Sequence, residues 1–264
     1  MFISTIINRL LSFYYILQNK ELNHKRYIFS KLDVNELIKI LWPNASKFGI
    51  VMIGVFLIWR ANVMVAASFL GLSDAAVYGL AIQVFFLLNT ISTVPLNVSL
   101  PKMNILRSQN NFDRLYVLFN KVLIFQLFVY IISGLCILFL GNFILEYIDS
   151  SVRFPKQEIL FVMLIIFLLE INHGTCSNFI TTGNTIPFVK AAIISGSFIV
   201  IFSLIFTPIL GIWGLVLSHG IVQLAYNNWK WPLEISKFFK KNYFVILKDG
   251  LFNLVIVNFK GLKK

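Results

Sequence analysis

The sequence contains few charged residues, and this shortage excludes an ordinary soluble domain. Only 13% of its 264 residues are Asp, Glu, Lys or Arg, whereas soluble domains carry roughly a quarter. Hydrophobic residues make up 58% of the chain. They occur in long runs and lack the alternation typical of a strand or a barrel. The composition therefore predicts an all-α polytopic membrane protein.

Cysteines and catalytic motifs are equally scarce. Cys136 and Cys176 lie in apolar runs with no C-x-x-C or Cys/His spacing, so neither a disulfide nor a metal site is predicted. The chain contains no G-x-S-x-G, H-E-x-x-H or Walker motif. The longest predicted outer loop, 141–158, is short for a membrane polymerase or glycosyltransferase. We therefore predict a protein that is not an enzyme and needs no cofactor.

Acidic residues number only 11 against 23 basic ones, which gives a net charge of +12. A basic chain can indicate nucleic-acid binding, but here the basic residues lie mainly between apolar segments, as membrane topology requires. The first of these segments, 48–69, would measure roughly 33 Å as a helix, which is enough to cross a bilayer. The six predicted spans are 48–69, 75–98, 122–140, 159–180 and two within 191–229, separated by a break at 207–214. We predict no nucleic-acid partner, and the lipid bilayer as the surroundings.

The spans divide the chain into an interfacial N-terminal segment (1–47), a six-helix lobe (48–229) and a basic interfacial tail (230–264). Residues 1–18 are read either as an interfacial anchor or as the end of a preceding helix. They lack the basic start and small-residue cleavage site of a signal peptide.

Six spans would place both chain ends on one side, and the basic residues indicate which side. The sections on that side carry 20 of the 23 Lys and Arg residues. Because cytoplasmic loops are rich in these residues, both termini are predicted to be cytoplasmic. These sections are 1–47, 99–121, 181–190 and 229–264.

Arg60 lies near the middle of the first predicted span, with no acidic residue within one turn. A guanidinium at this depth costs about 2.5–3.5 kcal/mol on insertion scales. Three readings stay open. Arg60 forms a buried structural pair with Glu170, it lines a polar cavity for an anionic substrate, or else the span is mistaken or the side chain snorkels.

Other polar residues lie in the predicted spans. Glu170 has His173 at i+3 on the same helical face. Asn62 follows Arg60, and amides commonly join helices in membranes. His219 stands alone on an apolar helix, which favours a packing role over proton transfer. We take Arg60, Glu170, His173 and Asn62 as candidate substrate-binding residues.

Several short runs, taken together in their order and spacing, resemble the Wzx-type polysaccharide flippases of the MATE-like (MOP) superfamily. The resemblance covers about residues 40–235. The runs are LWPNAS (41–46), RANVMVAASFLGL (60–72), AAVYGLAIQV (75–84), GNTIPF (183–188), GIWGLV (211–216) and YNNWKWP (226–232).

The resemblance implies a transporter that passes undecaprenyl-pyrophosphate-linked oligosaccharide across the bacterial inner membrane during O-antigen assembly. Such proteins have two six-helix lobes around a central cavity. This chain matches the second lobe, so a truncated or half-length protein is expected, one that requires a first lobe or a second copy. Two alternatives stay open. They are a cation-coupled drug exporter of the same superfamily, and a non-transporting membrane partner in a polysaccharide assembly complex.

Overall fold

The computed structural model describes residues 31–261, with side chains from 35 to 254; the predictions for residues 1–18 lie outside this range. The described residues form helices and no strand. They are α1 (Lys31–Phe56), a π-helical turn (Leu57–Ala61), α2 (Asn62–Ser108), α3 (Phe112–Tyr147), α4 (Gln157–Thr181), α5 (Val189–Leu210), α6 (Ile212–Ala225), α7 (Asn227–Phe239) and α8 (Tyr243–Gly261). The chain divides into two compact units, Met1–Ala45 and Ser46–Lys264. The cores, contacts and sites described below belong to the second unit.

Four stretches of the described residues are long and apolar enough to cross a membrane. They are Asn35–Ser108, Phe112–Tyr147, Gln157–Thr181 and Val189–Leu210. The first contains 74 residues, which as a straight rod would measure about 110 Å, several times the hydrocarbon thickness. It contains both the first and the second predicted span. The sixth predicted span falls on α6, which has only 14 residues.

A sharp bend at Gly71 divides the longest stretch. Gly71 has φ 84° and ψ 174°, a conformation that essentially only glycine adopts. Residues on both sides of the bend enter one core, with Val65 and Ala66 before it and Tyr78 and Ala81 after it. The bend therefore lies inside the link predicted at 70–74.

The break predicted at 207–214 is confirmed. Helix α5 ends at Leu210, and Gly211 (φ 61°) reverses the chain into α6. The reversal is tight, because a Cβ at Gly214 would lie 2.5 Å from the Phe206 carbonyl. A second break at Tyr226 (φ −142°, ψ −62°) separates α6 from α7.

The helices α1 and α5 cross with their backbones almost in contact. A Cβ at Gly54 would lie 2.6 Å from the carbonyl carbon of Ala192, and one at Gly196 would lie 2.8 Å from Cβ of Leu57. Small residues allow such approach between helices in membranes, where packing contacts replace the hydrophobic effect as the driving force.

Two apolar cores lie at opposite ends of this unit. One contains the residues around the bend at Gly71, the loop that holds Phe154 and the start of α6 at Leu215. The other, which we name the basic end, contains Met103 and Phe179. The segments that connect successive helices therefore lie alternately at one end of this unit and at the other.

The predicted tail from residue 230 onward forms parts of two packed helices. Trp231 and Ile235 of α7 and Ile246 of α8 are buried in the core of the basic end. Helix α8 lies against α3 so closely that a Cβ at Gly250 would be 2.6 Å from the Asn120 carbonyl oxygen. The boundary predicted at 229/230 thus falls inside α7, and the one at 47/48 falls inside α1.

Candidate functional site

A polar cleft of about 320 Å³ opens between α1, α2, α4 and the α6–α7 junction. Apolar side chains of α1 form one wall, while the opposite wall carries carboxylate, imidazole and amide groups. Polar groups in such number are costly in an apolar surrounding unless they are paired or solvated. The polar residues that line the cleft include Asn89, Thr93, Glu170, His173, Ser177, Asn178, Gln223 and Asn227.

Glu170 is buried in the wall of this cleft and accepts two hydrogen bonds. Nε2 of His219 lies 3.2 Å from its Oε2, and Nε2 of Gln223 donates to its Oε1 at 2.8 Å. The structure does not contain the Arg60–Glu170 pair that was one reading of the sequence. Two donors from α6 already occupy the carboxylate, and the packing reading of His219 agrees with its contact.

His173 also lines the cleft, as its i+3 spacing from Glu170 predicts. Its Nδ1 lies 2.7 Å from Oδ1 of Asn228 at the start of α7. The residue therefore joins α4 to α7 and makes no hydrogen bond to Glu170. The two residues share a wall and bind different partners.

A series of hydrogen bonds, which we name the polar ladder, continues from Glu170 across the break at Tyr226. Gln223 Oε1 accepts from Nδ2 of Asn227 at 2.7 Å, and Asn227 Oδ1 accepts from Nε1 of Trp231 at 2.9 Å. Asn227 Nδ2 also donates to Ser195 of α5 at 2.8 Å. The ladder thus connects α4, α5, α6 and α7.

Arg60 lies outside the cleft, on the exposed side of the π-helical turn. Its guanidinium is 5.1 Å from the centre of the Phe86 ring, and it forms no ion pair within the described part of the chain. The preceding Trp59 lines the cleft, stacks on Phe167 with ring centres 4.8 Å apart and meets the Phe86 ring edge-on at 5.5 Å. Trp59 and Arg60 therefore contact the same phenyl ring, but only Trp59 lines the cleft.

Asn62 follows the π-helical turn and is almost fully buried, at 1% exposed. Neither its amide nitrogen nor its oxygen has a hydrogen-bond partner of normal geometry among the described residues, although Tyr78 lies beside it. Its side chain does not line the cleft. The four candidate residues therefore divide into Glu170 and His173 in the cleft, Arg60 outside, and Asn62 in the core.

No group of three or more His, Cys, Asp or Glu side chains is placed to hold a metal ion in the part of the chain that the structure describes. Both cysteines are free thiols; Cys136 is exposed and Cys176 is buried. The cleft itself is lined by amides, hydroxyls, an imidazole and a carboxylate.

The sequence reasoning missed the ladder, although a signal for it was present. His219, Gln223 and Asn227 are separated by four residues each, which places them on one face of a helix. Trp231 extends the same spacing. The π-helical turn had no such signal, because LIWRA fits an α-helix equally well.

Searches of protein-family models, curated proteins and solved structures found no match to this chain.

Proposed function

We propose that this chain is one lobe of a carrier that flips undecaprenyl-pyrophosphate-linked oligosaccharide across the bacterial inner membrane for O-antigen synthesis. The observation that carries the proposal is the exposed guanidinium of Arg60 in the middle of an apolar segment, with no acidic partner among the described residues. A permanent charge at that position costs free energy unless an anion meets it.

A pyrophosphate suits this position chemically. The planar guanidinium donates paired hydrogen bonds to phosphate oxygens. The neighbouring cleft offers amides and hydroxyls, the groups that recognise sugars by hydrogen bonding. In this proposal, Arg60 binds the pyrophosphate, and Glu170 and His173 contact the glycan. Asn62 supports the π-helical turn.

The distribution of connecting segments supports a six-span topology with both termini in the cytoplasm. Segments predicted on the cytoplasmic side meet at the basic end, where Nη1 of Arg107 donates to the Thr182 hydroxyl at 2.8 Å. We count α1 and α2 as two spans divided at Gly71. We further count α6 with the start of α7 as the sixth span, joined across Tyr226 by the polar ladder.

A single lobe leaves Arg60 exposed, so the proposed carrier contains a second lobe facing it. Either a separate first lobe or a second copy of this chain supplies it. Transport then requires the two lobes to rock about the site between them, as in carriers built from related halves.

One observation favours a second candidate, a cation-coupled exporter of the same superfamily. Glu170 is a buried carboxylate in a membrane-spanning helix, the type of residue that proton or cation coupling uses. Against it, Arg60 would repel a cationic drug. The two functions predict cargoes of opposite charge. A transport assay that supplies each type of cargo therefore distinguishes them.

The test uses the purified full chain in proteoliposomes that contain a fluorescent polyprenyl-pyrophosphate disaccharide. Accessibility to dithionite reports how much lipid has crossed. Where a second copy of the chain supplies the facing lobe, we expect protein-dependent flipping and a loss of about tenfold in Arg60→Gln, which corresponds to 1.4 kcal/mol of lost cargo binding. A fluorescent cationic drug supplied in parallel should not move.

Arg153→Gln serves as the matched control, because it removes an arginine from the loop between α3 and α4, which does not line the cleft. Equal flipping by Arg60→Gln and the parent chain at equal protein level would refute the role of Arg60. Transport of the cationic drug alone would favour the exporter. Binding of the glycolipid without flipping would favour either the non-transporting assembly partner or a carrier whose first lobe is a separate chain.

A further inference from the structure

The outer surface near the basic end carries two adjoining depressions. The first, the cationic pocket, measures about 510 Å³ and is lined by Arg107, Lys230, Glu234 and Lys237 among others. The second, the apolar groove, measures about 600 Å³ and runs between α5 and α6. Pro187 and Tyr226 line both depressions, so the two are continuous.

The cationic pocket has an excess of positive charge. Three basic side chains surround one carboxylate, and Glu234 Oε1 accepts from Lys230 Nζ at 2.9 Å and Lys237 Nζ at 3.1 Å. These hydrogen bonds, that of Lys230 first, lower the pKa of Glu234 and keep it ionised. Arg107 is held 4.7 Å from the centre of the Phe238 ring. The carboxylate of Glu234 therefore cancels only part of the positive charge of the pocket, and the remaining charge attracts an anion.

The mouth of the groove adds two more features that suit an anion. Lys190 lines the groove, is exposed, and forms no ion pair among the described residues. Helix α5 begins one residue earlier, at Val189, with no side-chain cap at its N-terminus. The first backbone N–H groups of a helix are left without helical partners, and they bind phosphate readily.

The rest of the groove is apolar and open to the surroundings. Ile194 and Phe198 of α5 and Ile221 of α6 line it and are each about half exposed, at 53%, 47% and 49%. On a helix apolar enough to cross the membrane, such a surface contacts hydrocarbon. The groove therefore accommodates a hydrocarbon chain whose polar end lies near Lys190.

We propose that the apolar groove and the cationic pocket together form a binding site for an anionic glycerophospholipid of the surrounding bilayer. One acyl chain lies between α5 and α6, and the phosphate lies between Lys190, the N-terminus of α5 and the cationic pocket. Basic pockets between membrane helices bind anionic head groups in this way.

Bilayer phospholipid is the committed occupant for two reasons. The groove opens on the surface between α5 and α6 and includes neither Arg60 nor Glu170, so it is separate from the proposed cargo site. Phospholipid molecules are also far more abundant in a membrane than any lipid-linked cargo. The proposal therefore goes beyond the transport function and stands even if that function is wrong.

The test measures lipid binding to the purified, delipidated full chain by native mass spectrometry. Phosphatidylglycerol is titrated in one series and phosphatidylcholine in the other. We expect Lys190→Gln to weaken phosphatidylglycerol binding about fivefold, which is the contribution of one basic residue near the membrane surface. Phosphatidylcholine binding should not change. Lys156→Gln, at the other end of the molecule, is the matched control and should bind like the parent chain.

A second variant tests the groove itself. Ala225 lines the groove and is exposed, so Ala225→Phe fills the groove without disturbing the core and should reduce phosphatidylglycerol binding. Equal binding by Lys190→Gln and the parent, or an equal loss in Lys156→Gln, would overturn the proposal. So would displacement of the lipid by millimolar inorganic phosphate, or by polyprenyl phosphate at equal concentration, which would assign the site to a free anion or to the cargo. An unchanged melting temperature verifies that each variant is folded.

Discussion

Glu170 is the one carboxylate among the described residues that lines the cleft. Its carboxylate is buried, and both of its oxygens are occupied by donors from α6. Paired in this way, the group holds α4 against α6. Removal of the carboxylate leaves His219 and Gln223 with buried donors and no acceptor, which costs more than the hydrogen bonds themselves contributed.

We therefore expect Glu170→Ala to be strongly destabilising. Each buried donor left without a partner costs about 1–3 kcal/mol, so the melting temperature of the detergent-solubilised protein should fall markedly. Ser177→Ala is the matched control. Ser177 lies on the same helix and in the same cleft, but it donates only to the carbonyl of Gly174 in its own helix. A loss in Ser177→Ala as large as in Glu170→Ala would contradict this account.

At the scale of helices, the crossing of α1 and α5 leaves no room for a side chain at Gly54. The gap that Gly54 leaves is filled by the backbone of Ala192, which cannot rotate away as a side chain could. Added atoms must therefore separate the two helices.

Gly54→Val is expected to destabilise the protein by about 1–3 kcal/mol, the usual cost of overpacking. Gly49→Val provides the comparison on the same helix, since no atom lies within 4 Å of a Cβ there. Thermal unfolding monitored by circular dichroism measures both. Equal midpoints for the two variants would show that the close crossing does not contribute to stability.

The sequence predicted the two breaks at which the structure has a glycine with a positive φ. The break near Gly211 was anticipated because the apolar stretch is too long for one span, and the link near Gly71 because it lies between two spans; glycine allows the positive φ that each requires. The break at Tyr226 was not, since no such residue lies there. The pairing of Glu170 was also missed, because the partner of a buried charge is set by how helices pack and not by the residues beside it.

At the scale of the whole molecule, the sidedness of the two ends can be tested directly. In the proposed topology the loop around Ser151 faces outward, and the turn around Gln109 faces the cytoplasm. Both residues are exposed. In a Cys136→Ser background, where Cys176 is buried, an impermeant maleimide added to spheroplasts should label Ser151→Cys and not Gln109→Cys.

Permeabilisation should then make both introduced cysteines reactive, which controls for their accessibility. The reverse labelling pattern would invert the topology. Labelling of both positions before permeabilisation would contradict the assignment of these two segments to opposite sides.

The basic end should loosen in acid. Hydrogen bonds from Lys230 and then Lys237 lower the pKa of Glu234, and the Tyr116 hydroxyl and Lys241 lower that of Asp249. A carboxyl with a lowered folded-state pKa stabilises the fold above its unfolded pKa, and this contribution is lost as the pH falls through the folded value.

Because these groups are partly exposed, the effect is modest. Between pH 6 and pH 3, hydrogen exchange in α7 and α8, corrected for its intrinsic pH dependence, should accelerate by about twofold to fivefold. Glu234→Gln should remove the part of this dependence that belongs to α7. Exchange that is independent of pH in the parent chain would show that the two carboxyls do not stabilise this end.

The polar ladder has a direction, and the direction makes one of its members an optical probe. Trp231 donates to Asn227, Asn227 to Gln223, and Gln223 to Glu170. Each amide is thus oriented by the next acceptor along the ladder, and the carboxylate is the final acceptor. Loss of that acceptor allows the amide of Gln223 to rotate, and then the amide of Asn227. The hydrogen bond of the Trp231 indole N–H changes as a result. The emission of Trp231, isolated by replacing the other tryptophans with phenylalanine, would therefore report the state of the cleft from the far side of a helix break.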